Sequence, residues 1–248
     1  MPLLKPVLAL VHGWGMNARV FGPLIELLTD EFEVHALNLP GHGGRPCLPD
    51  NNLQTWGDNI AQQLVPGTIL LGWSLGGQAA IRAALDHPSK VARLVLLAST
   101  PRFVAAPDWE HGMAAADLED FGGALLADPQ ATLLRFLALQ TRGATSQKTL
   151  LQQLRQILVT APAPDGRALS AGLRILQETD LRDEATHLRQ PALVLHGALD
   201  TLTRAGGGAW LAGALPNARH IELAHAAHAP LLSHRAEVAA AIVRMAYD

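Results

Sequence analysis

A serine within a glycine-rich turn is the first residue of this chain that could do chemistry. The segment Gly72-Trp73-Ser74-Leu75-Gly76 has the pattern G-x-S-x-G, and it lies between an apolar run at 68–71 and a helical pattern that begins near Gln78. A sharp turn from strand to helix needs small residues around the serine, because larger side chains would collide and cover its hydroxyl. We expect Ser74 to be a nucleophile; the alternative is a glycine-rich turn that merely holds a serine.

A neutral serine is a weak nucleophile, so it needs a base, and the base needs an acid that orients it. Asp200 ends the turn after the apolar run 192–195, and His228 lies in the loop after the last apolar run. The chain order Ser, Asp, His is the one expected with this serine motif. The alternatives are an ordinary turn aspartate and a surface histidine. His225 is a rival base, but it directly follows the predicted strand, so we prefer His228, which lies farther into the loop.

Acyl transfer builds negative charge on a carbonyl oxygen, and fixed backbone amides stabilise that charge. The N–H groups of Trp14 and Leu75 are the two candidates for this oxyanion hole. Leu75 follows the nucleophile, and Trp14 belongs to the tight turn His12-Gly13-Trp14-Gly15 after the first apolar run. We expect the backbone of this turn to matter more than the His12 imidazole. The rings of Trp14 and Trp73 would bring apolar surface to the pocket, unless they are plain core aromatics.

Strands and helices alternate around these residues. Apolar runs bounded by turn residues predict strands at 7–11, 33–37, 68–71, 91–97 and 192–195, with a weaker one at 219–223. Helical patterns follow at 76–86 and 235–246. This order predicts an α/β class fold, with a mostly parallel sheet flanked by helices and right-handed crossovers. The functional residues would meet at the carboxyl edge of that sheet, where such sheets bind ligands.

The alternation breaks between about Arg102 and Leu188, where helical patterns follow one another. We therefore expect a core formed by residues 1–101 and 189–248, with a helical cap at 102–188. Asp128 and Pro129 are typical of a helix start, and Gly143 of a helix end. A second helix at about 146–160 would form a hairpin with the first.

The cap hairpin has an unusual charge. Between Pro129 and Pro162 there is no Asp or Glu, and the basic residues are Arg135, Arg142, Lys148 and Arg155. The whole chain has a net charge of −3. The simplest alternative is two solvated helix faces, but the absence of acids favours a docking surface for an anionic partner.

Composition limits the remaining possibilities. A length of 248 residues with 49% apolar residues suits one α/β domain with an insertion. The small net charge gives no general attraction to nucleic acid or anionic membranes. The single cysteine, Cys47, excludes an internal disulfide. The apolar run at 1–11 has neither a charged leader nor a cleavage site, and no stretch is long enough to span a bilayer. We expect a soluble, cytoplasmic monomer that needs no metal and no cofactor.

The chain resembles a known family, the pimeloyl-acyl carrier protein methyl ester esterases of biotin biosynthesis, or BioH type, within the α/β-hydrolase superfamily. The resemblance runs nearly end to end. It is carried by His-Gly-Trp-Gly at 12–15, Leu-Gly-Trp-Ser-Leu-Gly-Gly at 71–77, Arg-Phe-Leu-Ala-Leu-Gln-Thr at 135–141, Gly-Leu-Arg-Ile-Leu at 172–176, Thr-Asp-Leu-Arg at 179–182 and Ala-Ala-His-Ala-Pro at 226–230. The cap segments are the specific ones, since the serine motif alone fits lipases and carbon-carbon bond hydrolases.

The resemblance implies an α/β-hydrolase fold with the cap inserted after the sixth strand of the standard fold. It implies Ser74, Asp200 and His228 as the triad, Trp14 and Leu75 as oxyanion donors, and Phe136 against the substrate chain. It also implies an acidic carrier protein that docks on basic cap residues, for which Arg135, Lys148 and Arg155 look like counterparts. Ala131 and Gln152 depart from this pattern. The chain starts almost directly at the strand before His12, so we expect the first strands of a full hydrolase sheet to be missing.

The sequence therefore predicts a serine carboxylesterase that acts on the methyl ester of pimeloyl-acyl carrier protein. One alternative is a general short-chain carboxylesterase acting on free esters. The other is an inactive hydrolase fold that binds a ligand or partner, against which the complete set of triad residues argues.

Overall fold

A parallel β-sheet forms the centre of the molecule in the computed structural model, which describes residues 5–248. Its strands are β1 (Val7–Val11), β2 (Glu33–Leu37), β3 (Thr68–Trp73), β4 (Val91–Leu97), β5 (Ala192–Gly197) and β6 (Ala218–Leu223). They lie in the order β2-β1-β3-β4-β5-β6, and every neighbouring pair is parallel. The carboxyl ends of all six strands therefore lie at the same edge of the sheet.

Helices cover both faces of this sheet. Those outside the long insertion are α1 (Gly22–Ile25), α2 (Leu53–Ala61), α3 (Leu75–Asp86), α9 (Ala205–Ala214), α10 (Pro230–Ser233) and α11 (Arg235–Tyr247). Apolar side chains pack in two clusters, one containing α2 and α3 residues such as Trp56 and Ile81, and the other containing α11 residues such as Val238 and Ile242. The central strands β3 and β5 are buried along their whole length. This burial explains their continuous apolar sequences.

The predicted α/β fold is confirmed, with small differences at element ends. Strand β3 continues beyond the predicted end at 71 to Trp73, and β5 continues to Gly197. Helix α3 begins at Leu75, immediately after Ser74, rather than at 76 or 78. The predicted strands end before Gly72 and Gly197, because glycine is uncommon in strands. In the structure, pairing with the parallel neighbours continues through both glycines. Of the apolar run predicted to begin at residue 1, residues 1–4 lie outside the described residues.

Between β4 and β5 the chain passes through an insertion made of helices. They are α4 (Ala115–Ala127), α5 (Pro129–Gln140), α6 (Gln147–Val159), α7 (Gly166–Glu178) and α8 (Arg182–Ala185). The Asp128 side chain accepts a hydrogen bond from the N–H of Ala131 and so caps the start of α5. Gly143, at φ 87°, turns the chain after α5, and α6 packs back against α5. We refer to residues 102–188 as the cap.

No helix among residues 5–248 is both long and apolar enough to cross a membrane.

Helix α9 has a sequence that does not favour a helix. It contains the run Gly206-Gly207-Gly208, and each glycine in a helix interior costs about 1 kcal/mol relative to alanine. The glycines are needed because imidazole side chains lie against them. A Cβ atom at Gly208 would overlap the imidazole of His196, and one at Gly206 would overlap that of His111. Close packing against β5 therefore outweighs helix propensity.

We predict that Gly208→Ala lowers the free energy of unfolding by about 1–3 kcal/mol, because a forced contact with His196 exceeds the gain in helix propensity. The matched control is Gly213→Ala in the same helix, where a Cβ would meet no atom within 4 Å. This control should leave stability unchanged or raise it slightly. Urea unfolding of the two variants measures the difference, and equal effects would contradict the packing argument.

Candidate active site

Ser74 lies on a sharp turn between β3 and α3. Its backbone has φ 57° and ψ −123°, a conformation that residues other than glycine rarely adopt. Its N–H donates to the carbonyl of Leu97, and its own carbonyl accepts from the hydroxyl of Ser99 at 2.9 Å. Cβ atoms at Gly72 and Gly76 would overlap neighbouring backbone. These glycines let the turn close tightly, so that the Ser74 hydroxyl stands at the carboxyl edge of the sheet.

Ser74, His228 and Asp200 form a hydrogen-bonded chain at that edge. His228 Nε2 lies 2.9 Å from Ser74 Oγ, and His228 Nδ1 lies 2.8 Å from Asp200 Oδ2. All three residues are at most 5% exposed. Asp200 follows β5 and His228 follows β6, and parallel strands bring both loops to the edge that carries Ser74. His225, the rival base, is exposed and makes no side-chain hydrogen bond among the described residues.

The Asp200 carboxylate stays charged although it is buried. Burial raises its pKa, but the charge of His228 and the close approach of both His196 and His228 outweigh burial and hold the pKa below its usual range. Two backbone N–H groups, those of Leu202 and Thr203, also donate to Oδ1 at 2.9 and 3.1 Å. A fixed negative charge beside Nδ1 is the arrangement that orients an imidazole and stabilises its protonated form.

The tight turn after β1 lies beside the serine. A Cβ atom at Gly13 would lie 3.0 Å from the Cβ of Ser74 and 3.5 Å from its Oγ. The His12 side chain holds this turn, because its Nδ1–H donates to the Gly13 carbonyl at 2.8 Å while Nε2 accepts from the Leu39 N–H at 3.1 Å. In a trans peptide the carbonyl of Gly13 and the N–H of Trp14 point in opposite directions. The imidazole that fixes the carbonyl therefore also fixes the N–H.

The rings of Trp14 and Trp73 do not offer open surface. They are 1% and 0% exposed, and each indole N–H has a buried acceptor. Trp14 Nε1 donates to the Leu169 carbonyl in α7 at 2.9 Å, and Trp73 Nε1 donates to the His228 carbonyl at 2.8 Å. Phe136 packs edge-on against Trp14, with ring centres 4.8 Å apart. The core interpretation of the two tryptophans is thus the better description of their side chains.

The four basic cap residues are exposed. Arg135 lies on α5 and places its guanidinium 4.6 Å from the ring centre of Phe121. Arg142 lies just after α5, while Lys148 and Arg155 lie on α6. None of the four has a salt bridge to another residue within the described range 5–248, so the charges face solvent. Ala131 and Gln152, the departures from the family pattern, are exposed on the same two helices.

Two residues behind Asp200 were not anticipated from the sequence. The Thr203 hydroxyl donates to Asp200 Oδ2 at 2.8 Å, and the fully buried His196 lies 3.5 Å from the same oxygen. Both lie within four residues of Asp200, and this closeness in sequence is the only signal that could have indicated them. Within residues 5–248 no group of three or more His, Cys, Asp or Glu side chains could hold a metal ion.

His12 and His42 form a second buried pair of titratable groups. Their ring centres are 5.2 Å apart, and both side chains are fully buried. Burial, strengthened by the charge of His42, lowers the pKa of His12 to about 3. Burial likewise lowers the pKa of His42 to about 4, although its hydrogen bond to the Pro40 carbonyl opposes the shift. Both rings are therefore neutral at neutral pH, and for His12 the hydrogen bond that Nε2 accepts from Leu39 requires this.

Comparison with known proteins agrees with this geometry. The family model of the alpha/beta hydrolase fold matches residues 6–235. The chain is 43% identical over 229 residues to the "Pimeloyl-[acyl-carrier protein] methyl ester esterase" of Nitrosomonas europaea, covering 92% of this chain and 90% of the relative. It is 42% identical to the protein of the same name from Stenotrophomonas maltophilia, covering 96% and 91%.

Solved structures show the same fold. An esterase from Exiguobacterium antarcticum superposes with a TM-score of 0.88 at 20% identity, covering 99% of this chain and 93% of the esterase. A hydrolase from Pseudomonas aeruginosa superposes with a TM-score of 0.81 at 27% identity, covering 97% and 89%.

The buried histidine pair makes stability depend on pH. Between pH 6.5 and about 4 the unfolded chain takes up a proton at His42 that the folded protein refuses, so the free energy of unfolding falls as pH falls. We predict that His42→Phe reduces this slope by about 1.4 kcal/mol per pH unit. Urea unfolding at pH 5, 5.5, 6 and 6.5 measures the slope for both proteins. Identical slopes would mean that folding does not keep His42 neutral.

Proposed function

Because the chain belongs to the alpha/beta hydrolase fold family, and within it to the pimeloyl-[acyl-carrier protein] methyl ester esterases, we propose that it hydrolyses the methyl ester of a pimeloyl chain carried on acyl carrier protein. The products are pimeloyl-acyl carrier protein and methanol, and the reaction belongs to biotin biosynthesis. The observation that carries the proposal is the hydrogen-bonded chain from Ser74 through His228 to Asp200 in a protein 43% identical to an esterase of that name.

Catalysis begins when Ser74 Oγ attacks the ester carbonyl while His228 Nε2 takes its proton. The resulting imidazolium faces Asp200, whose low pKa keeps it negative throughout. His228 then gives the proton to the leaving methoxide, and methanol departs. Water, deprotonated by the same nitrogen, attacks the acyl-enzyme, and the proton returns to Ser74 as the free carboxylate forms. No step needs a metal or an organic cofactor.

The N–H groups of Trp14 and Leu75 stabilise the oxyanion of each tetrahedral intermediate. Leu75 is the first residue of α3, so its N–H has no acceptor within the helix. The Trp14 N–H is oriented by the contact between His12 and the Gly13 carbonyl. Removing one such donor costs about 3–4 kcal/mol in other serine hydrolases. Phe136, which packs on Trp14, contacts the substrate chain.

The basic cap residues Arg135, Arg142, Lys148 and Arg155 dock the acidic carrier protein. Their support is their exposure, the lack of ion-pair partners among the described residues, and the absence of acidic residues from 129–162. Like-signed exposed charges raise the encounter rate with an oppositely charged partner and orient it, more than they add affinity. A cytoplasmic location and a monomeric state stay predictions from the sequence.

Ser74→Ala should abolish turnover of pimeloyl-acyl carrier protein methyl ester, because the attacking oxygen is removed. Folding should be retained, since alanine also fits the turn. Release of methanol or of the free carboxylate by purified protein measures the reaction, beside a p-nitrophenyl ester of a short acid.

Substantial turnover by Ser74→Ala would exclude the serine mechanism. Activity of the natural protein on the p-nitrophenyl ester alone would retain that mechanism and favour a general short-chain carboxylesterase. Failure of a fluorophosphonate probe to label Ser74 in the natural protein would favour an inactive binding protein.

Reversing two cap charges should weaken the reaction on the carrier-bound ester alone. Lys148→Glu with Arg155→Glu is the cleanest pair, because Arg135 also packs on Phe121 and its loss would disturb the apolar contacts of α5. We expect kcat/KM for the carrier-bound ester to fall by about tenfold or more at low salt, and the effect to shrink as salt is added.

Arg189→Glu is the matched control, since Arg189 is exposed and precedes β5, at the edge of the sheet opposite Ser74. It should leave both substrates unaffected. If the cap variant lost the same fraction of activity on the p-nitrophenyl ester, these residues would not be a docking surface.

A further inference from the structure

The hydroxyl of Thr203 lies close to four polar atoms near the catalytic centre. Its Oγ1 lies 2.8 Å from Asp200 Oδ2 and 3.1 Å from the carbonyl oxygen of Ala98. It also lies 3.2 Å from His228 Nδ1 and 3.3 Å from His196 Nε2. The residue is 1% exposed, so water does not compete for these contacts. One threonine therefore touches the carboxylate and both imidazoles that approach it.

The contacts of Asp200 define what this hydroxyl does. The backbone N–H groups of Leu202 and Thr203 occupy Oδ1, which leaves Oδ2 for side chains. The hydroxyl donates its single proton to Oδ2, because this acceptor is charged and closer than the Ala98 carbonyl. The remaining lone pairs of Oδ2 face His228. The carboxylate can therefore not rotate without breaking bonds to the backbone and to Thr203.

His196 is a competitor for the same oxygen. Its Nε2 lies 3.5 Å from Asp200 Oδ2, and the imidazole is fully buried against Gly208 of α9. The Nε2–H is bonded to the backbone carbonyl of Thr203, and Nδ1 has no partner among the described residues. The carbonyl of Thr203 thus accepts the hydrogen bond from His196, and its hydroxyl occupies the space beside Oδ2. Of the two imidazoles, His228 is therefore the one that is hydrogen-bonded to Oδ2, at 2.8 Å.

We propose that Thr203 is a positioning residue of the catalytic centre, which separates His196 from His228 and directs the Asp200 carboxylate to His228. The proposal rests on the proposed triad, and it adds a residue that acts through Asp200 without touching substrate. The groups that face Asp200 in this pocket are His228, His196 and Thr203. His220 on β6 lies beyond His196, and burial and the charge of His196 lower the pKa of His220.

Thr203→Val tests this role, because valine keeps the shape of threonine and loses the hydroxyl. We expect kcat on a p-nitrophenyl ester to fall by about tenfold, as for loss of a hydrogen bond to a charged group, while KM stays within about twofold. The carboxylate without its donor becomes more basic and favours the protonated imidazole. The acid limb of the kcat/KM profile should therefore move to higher pH, by about half a unit.

Thr203→Ser should restore kcat and the pH profile to within about twofold of the natural protein, because it returns the hydroxyl. Thr201→Val is the matched control, since Thr201 is exposed in the same loop and its hydroxyl makes no hydrogen bond among the described residues. It should change neither quantity. If Thr203→Val does not fold, Thr203→Ala carries the same test, because it also removes the hydroxyl and adds no methyl group beside Oδ2.

An unchanged kcat and acid limb in Thr203→Val would overturn the proposal, as would a loss that Thr203→Ser does not restore. The downfield proton NMR signal of the His228 Nδ1–H provides a second readout, which should shift in Thr203→Val and return in Thr203→Ser. Ser74→Ala separates this result from the proposed function. If activity did not depend on Ser74, the triad itself would fail; if only the carrier-bound ester were not hydrolysed, the Thr203 test would still stand.

Discussion

The backbone of Ser74 is the constraint on which the rest of the site depends. A residue other than glycine in such a conformation costs about 1–3 kcal/mol, so the surrounding structure must hold it there. Hydrogen bonds from the Ser74 N–H to Leu97, at the end of β4, and from Ser99, just after it, to the Ser74 carbonyl do this. A Cβ at Gly77 would overlap Ser99, so even the bond from Ser99 needs a glycine. The sequence pattern G-x-S-x-G-G is the requirement of this one turn.

Buried polar groups extend that requirement into the loops that follow β5 and β6. Four side chains there are each at most 5% exposed, those of Asp200, His228, Thr203 and His196. Each is held by hydrogen bonds to another of the four or to the backbone. A buried charge without partners would cost several kcal/mol, and Asp200 avoids this cost with donors on both oxygens. The charge of His228 beside it keeps its pKa low, so the residue that Asp200 orients for catalysis also keeps Asp200 charged.

Strong local patterns made much of this predictable. Apolar runs predicted all six strands. The runs are continuous in β3 and β5, which are buried along their whole length, whereas the edge strands β2 and β6 are partly exposed and carry polar residues. The positions of Asp200 and His228 after their strands followed from parallel topology. Helix α9 was not predicted, since its glycines serve contacts with His196 and His111 that no local pattern reveals. Thr203 was missed for the same reason: a threonine in a polar loop looks ordinary until the carboxylate beside it is known.

The two tryptophans connect the loops of the site to the core. A buried indole needs an acceptor for its N–H, and both rings find theirs in the backbone. Trp73 thereby stabilises the loop of His228, and Trp14 connects the turn beside Ser74 to α7 of the cap by a hydrogen bond. From Trp14 a line of packed side chains runs outward through Phe136 and Phe121 to the guanidinium of Arg135. Helix α5 thus carries an exposed charge on one face and, at the next residue, the aromatic ring that supports the turn beside the nucleophile. A change in the orientation of α5 must move both together, because close-packed rings transmit displacement instead of absorbing it.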